Sequence, residues 1–323
     1  MSSLIVSQIP VINFSDENLK PSTETWFSAS QIMRSALEAN GCFYAMSNKV
    51  SAELHNSVLA LMEELFDLPL ETKRQKTSDK PLHGYYEQSP LAPLYESVGI
   101  DFDVGPVNKE AVQKFANIMW PTGYNQFCET MNQYAKLLEE MDQTAKRLLF
   151  DAYGLDKRHC DSLLESTSYM LRSFKYHIPQ NNESNCGLHD HTDASYFTIL
   201  HQNNVRGVQV KLRSGEWIDV DPLPSLFLFV AGDALKVWSN DRIQACEHKV
   251  IIKEKMKRRS MGLFSFNNKM VQIQEELIDE DHPKRYKSFD HYEYLRFREK
   301  FPTEAPGPPV FFRCDVIMQD ERT

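Results

Sequence analysis

The sequence has no two cysteines at CxxC spacing. Its six cysteines stand at positions 42, 128, 160, 186, 246 and 314, a scatter that points to neither a structural zinc site nor a disulfide framework. A reducing compartment, the cytoplasm, is therefore expected. Long apolar runs are also missing: SLFLFVAGDAL, from Ser225, falls well short of the roughly 20 residues that span a bilayer. The N-terminus MSSLIVSQIP has no charged segment leading into an apolar core, so it does not read as a signal peptide. Basic residues are in deficit, with 36 Lys and Arg against 45 Asp and Glu. That balance argues against wrapping nucleic acid, which needs a clustered basic face. The one dense basic run, KEKMKRR from Lys253 to Arg259, reads on its own as a solvated strand end.

What is present is ample apolar material. Hydrophobic residues make up 41% and aromatics 11% of 323 residues, which suits one large domain or two modest ones with well-filled pockets. The first third reads as helices broken by short strands. IPVINF (9–14) and CFYAMS (42–47) read as strands; 26–39 and 51–66 read as amphipathic helices, the first stopped by Asn40-Gly41. Residues 75–105 are rich in Pro, Gly and Tyr with weak periodicity, and read as a long loop of the kind that forms lids. Apolar residues recurring at three and four from Met131 to Ala152 predict a long helix stopped by Gly154.

From Ser168 onward the segments become short, β-branched and aromatic. SYMLRSFKYH, SYFTILHQ, GVQVKL, EWIDV, LFLFVAG, ALKVWS, EHKVII and SMGLFSF follow one another with turn signals between them. Many short strands at such spacing predict a sandwich or barrel. The expected fold class is mixed α and β. A helical N-terminal region with a lid loop takes residues 1–110, and a domain with an all-β core takes 111–323, including a long supporting helix and a C-terminal helix and tail.

Within GLHDHTDASYF, His189, His191 and Asp193 alternate. On a strand they share a face. At about 3.3 Å per residue, 189 and 193 are roughly 13 Å apart, too far for two ligands of one ion with bonds of about 2.1 Å. The chain thus offers His189 with His191, or His191 with Asp193. A third ligand must come from elsewhere. His201 is close by in sequence, and His282 and His291 fall in polar helical or loop sequence, whereas His248 in CEHKVII reads as a strand that a jelly roll can return beside His191. Two histidines and a carboxylate on one face make the facial triad of non-haem Fe(II) oxygenases; an HxH pair would instead point to a cupin-like site or zinc. Ten residues after His248, Arg258 and Ser260 share a strand face. The guanidinium fork matches a carboxylate and the hydroxyl adds a donor, a pairing suited to the far carboxylate of a dicarboxylic cosubstrate.

Together, H-T-D at 191–193, His248 and R-x-S at 258–260 resemble the plant-type 2-oxoglutarate- and Fe(II)-dependent dioxygenases, the superfamily that includes isopenicillin N synthase. ALEANGCFYA (36–45) and LPLETK (68–73) belong to the same likeness, and HTDASYFTIL, GVQVKLRSGEWIDVDP, GDALKVWSN and RRSMGLFS look most like the clade of the glucosinolate side-chain dioxygenases and deoxypodophyllotoxin synthase. The resemblance implies a double-stranded β-helix (jelly-roll) core. It implies Fe(II) on His191, Asp193 and His248, with His189 outside the set and exposed. It implies 2-oxoglutarate on Arg258 and Ser260, helped by Tyr176 of FKYHIP, where Phe174 replaces the Asn that usually adds a polar contact.

O2 as cosubstrate, ascorbate as reductant and release of succinate and CO2 follow from the same likeness, with hydroxylation, dealkylation, desaturation or ring closure as the outcome. The substrate itself has no motif. Tyr85, Tyr86, Tyr95, Phe174, Tyr196, Phe266, Phe311 and Phe312 are candidate pocket walls, and as a set they suggest a bulky, largely apolar small molecule of plant specialised metabolism. A monomer with a small-molecule substrate and neither nucleic acid nor membrane as partner is expected. The alternatives are an Fe(II) oxidase that needs no 2-oxoglutarate, a hormone-inactivating dioxygenase, and a non-catalytic binder.

Overall fold

The computed structural model describes residues 8–89, 92–103, 105–180, 184–301 and 312–314. Its first half runs β1 (Val11–Asn13), α1 (Glu24–Asn40), β2 (Cys42–Met46), α2 (Ala52–Asp67), α3 (Leu70–Arg74), β3 (Tyr95–Phe102), α4 (Lys109–Met119), α5 (Asn125–Ala152) and α6 (Lys157–Glu165). Thr23, Ser51, Asn108 and Asp156 accept backbone N–H groups at the starts of α1, α2, α4 and α6, donors that have no partner within their own helix. Gly41 ends α1 at φ 70°. A Cβ there would lie 2.3 Å from the Gln244 carbonyl oxygen, so only glycine lets the chain turn straight into β2.

The second half runs β4 (Thr167–Tyr176), β5 (Cys186–His191), β6 (Phe197–Gln202), β7 (Val208–Lys211), β8 (Trp217–Asp219), β9 (Leu226–Ala231), α7 (Asp233–Trp238), β10 (His248–Ile251), β11 (Arg258–Asn267), β12 (Met270–Val271), β13 (Phe289–Asp290) and α8 (His291–Lys300). Seven strands form one sheet in the order β1-β2-β9-β6-β11-β4-β3, and four form another in the order β5-β10-β7-β8. Strands β1, β2 and β3 of the N-terminal region are thus built into the large sheet.

Side-chain alternation sets what each face meets. On β9, Leu228 and Val230 pack with Val208, Val210 and Val250 of the small sheet. Phe227, Phe229 and Ala231, one position off, pack with Met33 of α1 and Leu138 and Leu148 of α5. Period two therefore places helices on one side of the large sheet and the small sheet on the other. This is the expected jelly-roll core with α5 as its supporting helix. Each fully buried side chain such as Leu138 or Leu148 contributes about 1.5–3 kcal/mol, which keeps the 28 residues of α5 on the sheet despite its charged outer face.

Two segments depart from the sequence reading. Residues 75–105 are not all loop: β3 is an edge strand paired with β4 from Tyr95 opposite Tyr176 to Phe102 opposite Tyr169. Glu96 and Gly99 obscure its pattern; Glu96 is buried with Lys73 Nζ at 2.5 Å and the Tyr85 phenol at 2.8 Å as partners. ALKVWS is not a strand but most of α7. Ala234, Leu235, Val237 and Trp238 are all buried, so a helix enclosed on every side shows no polar face and mimics a core strand. Helices α4 and α6 lie where the sequence reading assigns no element.

Candidate metal and cosubstrate site

His191 closes β5, His248 opens β10, and the antiparallel pairing sets them opposite each other. Their rings are 4.3 Å apart. The chain leaves the sheet after His191 and bends, which returns Asp193 to the pair. Asp193 Oδ1 lies 3.6 Å from His191 Nε2 and Oδ2 lies 3.8 Å from His248 Nε2. One ligand atom from each residue lies within 4.8 Å of the other two. Both imidazoles are held in the same way. His191 Nδ1 bonds the His189 carbonyl at 2.8 Å and His248 Nδ1 bonds the Cys246 carbonyl at 3.0 Å. A carbonyl only accepts, so each Nδ1 carries the proton and each Nε2 offers its lone pair toward Asp193. The His189 side chain is exposed; its contribution is that carbonyl.

The electrostatics suit a cation. Burial works against a charged Asp193, but the His248 and His191 imidazoles and the Thr198 hydroxyl hold its carboxyl well below the usual range. Burial and the neighbouring His191 push the His248 imidazole down, toward the neutral form a metal requires. Burial also lowers His191, and the Asp193 carboxylate more than reverses it. Asp193 Oδ2 is buried with no hydrogen-bond donor among the described residues. Two imidazole lone pairs and an orphaned carboxylate oxygen are a donor set that Fe(II) fits.

Arg258 is fully buried at the start of β11. Its Nη2 donates to Gln202 Oε1 at 2.5 Å and its Nη1 to Ser260 Oγ at 3.3 Å, while the guanidinium lies 4.6 Å over the Tyr176 ring. Sheet register brings these together: Arg258 is opposite Tyr176, and Ser260 is opposite both Phe174 and Gln202. None of the partners is anionic, and Nε has no acceptor among the described residues. Burial alone pulls the guanidinium below its ordinary pKa. A buried cation without a counter-charge is expensive, and a ligand carboxylate removes the expense. Gln202 is absent from the sequence reading. Its signal is a polar side chain two positions after Leu200, on the face of β6 that Ser260 meets. The run KEKMKRR is solvated only in part: Met256 is 51% exposed, but Arg259 is 4% exposed and ion-paired with Glu63 of α2.

A cavity of about 300 Å³ lies between the sheets and is lined by His191, Asp193, His248, Arg258, Ser260 and Tyr176, together with apolar walls. Of the expected wall residues, Tyr86, Tyr95, Phe174 and Phe266 line it, with Phe174 packed against Tyr95 and Phe264. Three do not. The Tyr85 phenol turns to Glu96 at 2.8 Å. Tyr196 is sealed in the core, edge-on to His291 at 5.8 Å. Phe312 stacks on Phe289 at 4.5 Å. Phe311 lies outside the described residues. Met170, Arg172, Leu188 and Arg298 line the cavity without having been anticipated.

Residues 167–267 match the 2OG-Fe(II) oxygenase superfamily, and residues 9–121 match the N-terminal region of the non-haem dioxygenases in morphine synthesis. A probable 2-oxoglutarate-dependent dioxygenase of Arabidopsis thaliana, AOP1.2, is 39% identical over 306 residues, 92% of either chain. The crystal structure of the rice dioxygenase for auxin oxidation superposes with a TM-score of 0.79 at 26% identity, covering 95% of this chain and 100% of its own. The Arabidopsis dioxygenase for auxin oxidation 1, in its binary complex with 2-oxoglutarate, gives 0.76 at 27% identity over 85% of this chain and 99% of its own.

Proposed function

The chain belongs to the 2-oxoglutarate- and Fe(II)-dependent dioxygenases, and from that premise we propose that it oxidises a C–H bond of a compact, largely apolar small molecule held between its two sheets. The observation that carries this is the fully buried Arg258, without an anionic partner, in the same cavity as His191, Asp193 and His248. In this reading the three ligands hold Fe(II). Arg258, Ser260, Gln202 and Tyr176 hold the far carboxylate of 2-oxoglutarate. The bound iron supplies oxygen activation and the oxidation itself, with succinate and CO2 as coproducts. The protein supplies placement and a dry wall: Phe174, Phe264 and Phe266 exclude water where a substrate C–H bond would lie. A cavity of about 300 Å³ is at the low end for ligand pockets and is shared with 2-oxoglutarate, so the substrate is smaller than the bulky compound the aromatic residues suggest.

Ascorbate as reductant and a cytoplasmic monomer complete the proposal. No helix among the described residues is long and apolar enough to cross a membrane, and the six cysteines are free, which suits a reducing compartment.

The test is 2-oxoglutarate-dependent succinate formation by the iron-loaded protein, read with bound iron. Asp193→Ala is expected to lose both. His189→Ala is expected to keep most of each, because only its backbone carbonyl acts. Iron lost from the His189 variant and retained by the Asp193 variant would overturn the assignment.

A further inference from the structure

The cavity holds a second buried guanidinium, and its charge is unmatched. Arg172 on β4 is 4% exposed and lines the cavity. Its Nε and Nη2 donate to Ser97 Oγ at 3.0 and 2.8 Å, and its Nη1 donates to the Leu82 carbonyl at 2.9 Å. Nη2 also reaches the Gly84 carbonyl at 3.3 Å, and the remaining Nη1 proton meets only the thioether sulfur of Met170 at 3.7 Å. The Tyr86 ring covers the guanidinium at 4.8 Å. Every one of these partners is neutral. They satisfy donors but cancel no charge, and burying an uncompensated charge is costly.

The neighbouring carboxylates are committed elsewhere. Asp101 pairs with Lys76 at 2.6 Å. Glu299 is exposed, its charge is solvated, and it accepts from the Leu82 N–H and the Tyr86 phenol rather than from Arg172. Arg298, the other additional cation of the cavity, meets Asp233 at 3.4 Å. With Fe(II), Asp193, Arg258 and the 2-oxoglutarate dianion in place, the charges of the metal and cosubstrate cancel. Arg298 and Asp233 cancel as well. Among the buried groups of the cavity, Arg172 leaves one positive charge over.

Its position separates it from the cosubstrate. Met170, Arg172, Phe174 and Tyr176 share the cavity face of β4. Tyr176 is opposite Arg258, so Arg172 lies four residues, roughly 13 Å, along the strand from that anchor. The residues directly across from it on both flanking strands are glycines, Gly99 and Gly262, so no side chain at those positions covers it.

We propose that Arg172 receives a carboxylate of the substrate. The substrate class is then a monoanionic carboxylic acid with a compact apolar body. Its acid group meets the Nη1 edge beside Met170, where the weakest acceptor stands, and its body lies against Phe264 and Phe266. A charge-assisted hydrogen bond from that Nη1 proton to a carboxylate oxygen is much stronger than its present contact with a thioether sulfur. The inference rests on the dioxygenase reading for where 2-oxoglutarate lies.

The test is calorimetric titration with Zn(II) in place of iron and 2-oxoglutarate present, so that nothing turns over. The probes are 3-phenylpropanoate, cinnamate and 1-naphthylacetate, each beside its primary amide. At least one acid is expected to bind about tenfold or more tightly than its amide in the wild-type protein. Arg172→Gln is expected to bring the pair to within about twofold, and Arg172→Lys to restore part of the difference. Equal binding of acids and amides, a preference that survives Arg172→Gln, or no acid binding at a few millimolar overturns the proposal. If Arg172→Gln does not fold, the acid–amide comparison in the wild-type protein decides alone. Binding of 2-oxoglutarate itself, measured in the same titrations with Arg258→Ala as control, separates the two readings. Its failure removes the proposed function, whereas intact 2-oxoglutarate binding without acid preference removes only the role of Arg172.

Discussion

His291 Nε2 lies 2.6 Å from the carbonyl oxygen of Ala194, the residue that follows Asp193. The Asn267 N–H donates to His291 Nδ1 at 3.0 Å, so Nε2 carries the proton and donates to Ala194. The two preceding carbonyls are held as well. Asp193 accepts from the Asp233 N–H at 2.7 Å, and Thr192 accepts from Arg298 Nη2 at 3.0 Å. His291 and Arg298 are two turns apart on one face of α8, and Tyr294 between them donates to Asp233. The C-terminal helix thus fixes the backbone of the turn that carries Asp193.

His291→Ala leaves His191, Asp193 and His248 unchanged but frees the Ala194 carbonyl. Partners at this remove from a metal typically govern about 10–100-fold in affinity, and a loss of that size is expected. His291→Gln, which keeps a donor near the same place, is expected to lose less. Co(II) titration followed by its visible spectrum measures both. Wild-type affinity in His291→Ala would show that the turn holds itself.

Arg258→Ala is expected to weaken 2-oxoglutarate binding by roughly 30- to several-thousand-fold, the equivalent of about 2–5 kcal/mol for removing one partner of a buried charge pair. Arg258→Lys should recover only part, since a point charge does not reproduce the fork. Arg259 faces the opposite side of β11, and its loss should leave 2-oxoglutarate affinity near wild type. It is not silent, however. Arg259 is buried but its partner Glu63 is about a third exposed, so Arg259→Ala should cost about 1 kcal/mol of stability. Calorimetric Kd values and thermal midpoints of the variants separate the two effects. Equal losses of 2-oxoglutarate affinity would contradict the strand register.

Stability should fall between pH 6.5 and 4 because of buried neutral histidines. Burial pushes the His201 imidazole down to about 3, with His55 beside it adding to the shift. Its Nε2 donates to the Pro224 carbonyl at 3.0 Å and its Nδ1 accepts from the Tyr134 phenol at 2.9 Å, so the neutral ring is fully satisfied. The unfolded chain takes up a proton near pH 6.5 that the folded chain refuses. The contribution of His201 is therefore complete above that pH and is lost progressively toward its folded value. For a shift of this size the loss is about 2 kcal/mol by pH 5. Thermal midpoints from pH 8 to 5 for the wild type and His201→Gln measure it, and the variant should show the shallower slope.

Much of the site was legible in local sequence. His191 with Asp193 and Arg258 with Ser260 are short-range pairs, and strand parity or ligand reach constrains each without a fold. Of the long-range partners, His248 came from its strand-like surroundings and the family resemblance, while Gln202 was not legible. Gln202 lies far from Arg258 in sequence, and only the pairing of β6 with β11 makes it a partner. The aromatic walls divided for the same reason. Tyr85 and Tyr86 are adjacent, yet one phenol meets Glu96 and the other ring covers Arg172, because successive residues of an extended segment face opposite sides.

The sequence by itself determined the kinds of groups and their local spacing: capped helices, the helical period of α5, a run of short strands, and metal-ligand and carboxylate-binding residue types at alternating positions. These depend on neighbours within a few residues, where backbone geometry is the same in every fold. Only the tertiary structure decided that His248 stands opposite His191, that the chain bends to bring Asp193 back to both, and that α8 clamps the bend. It alone decided which charges are matched. Arg259 finds Glu63, while Arg172 and Arg258 find only neutral partners. Whether a buried charge is compensated depends on strand register and on which helix lies across the sheet, and a residue's local sequence encodes neither.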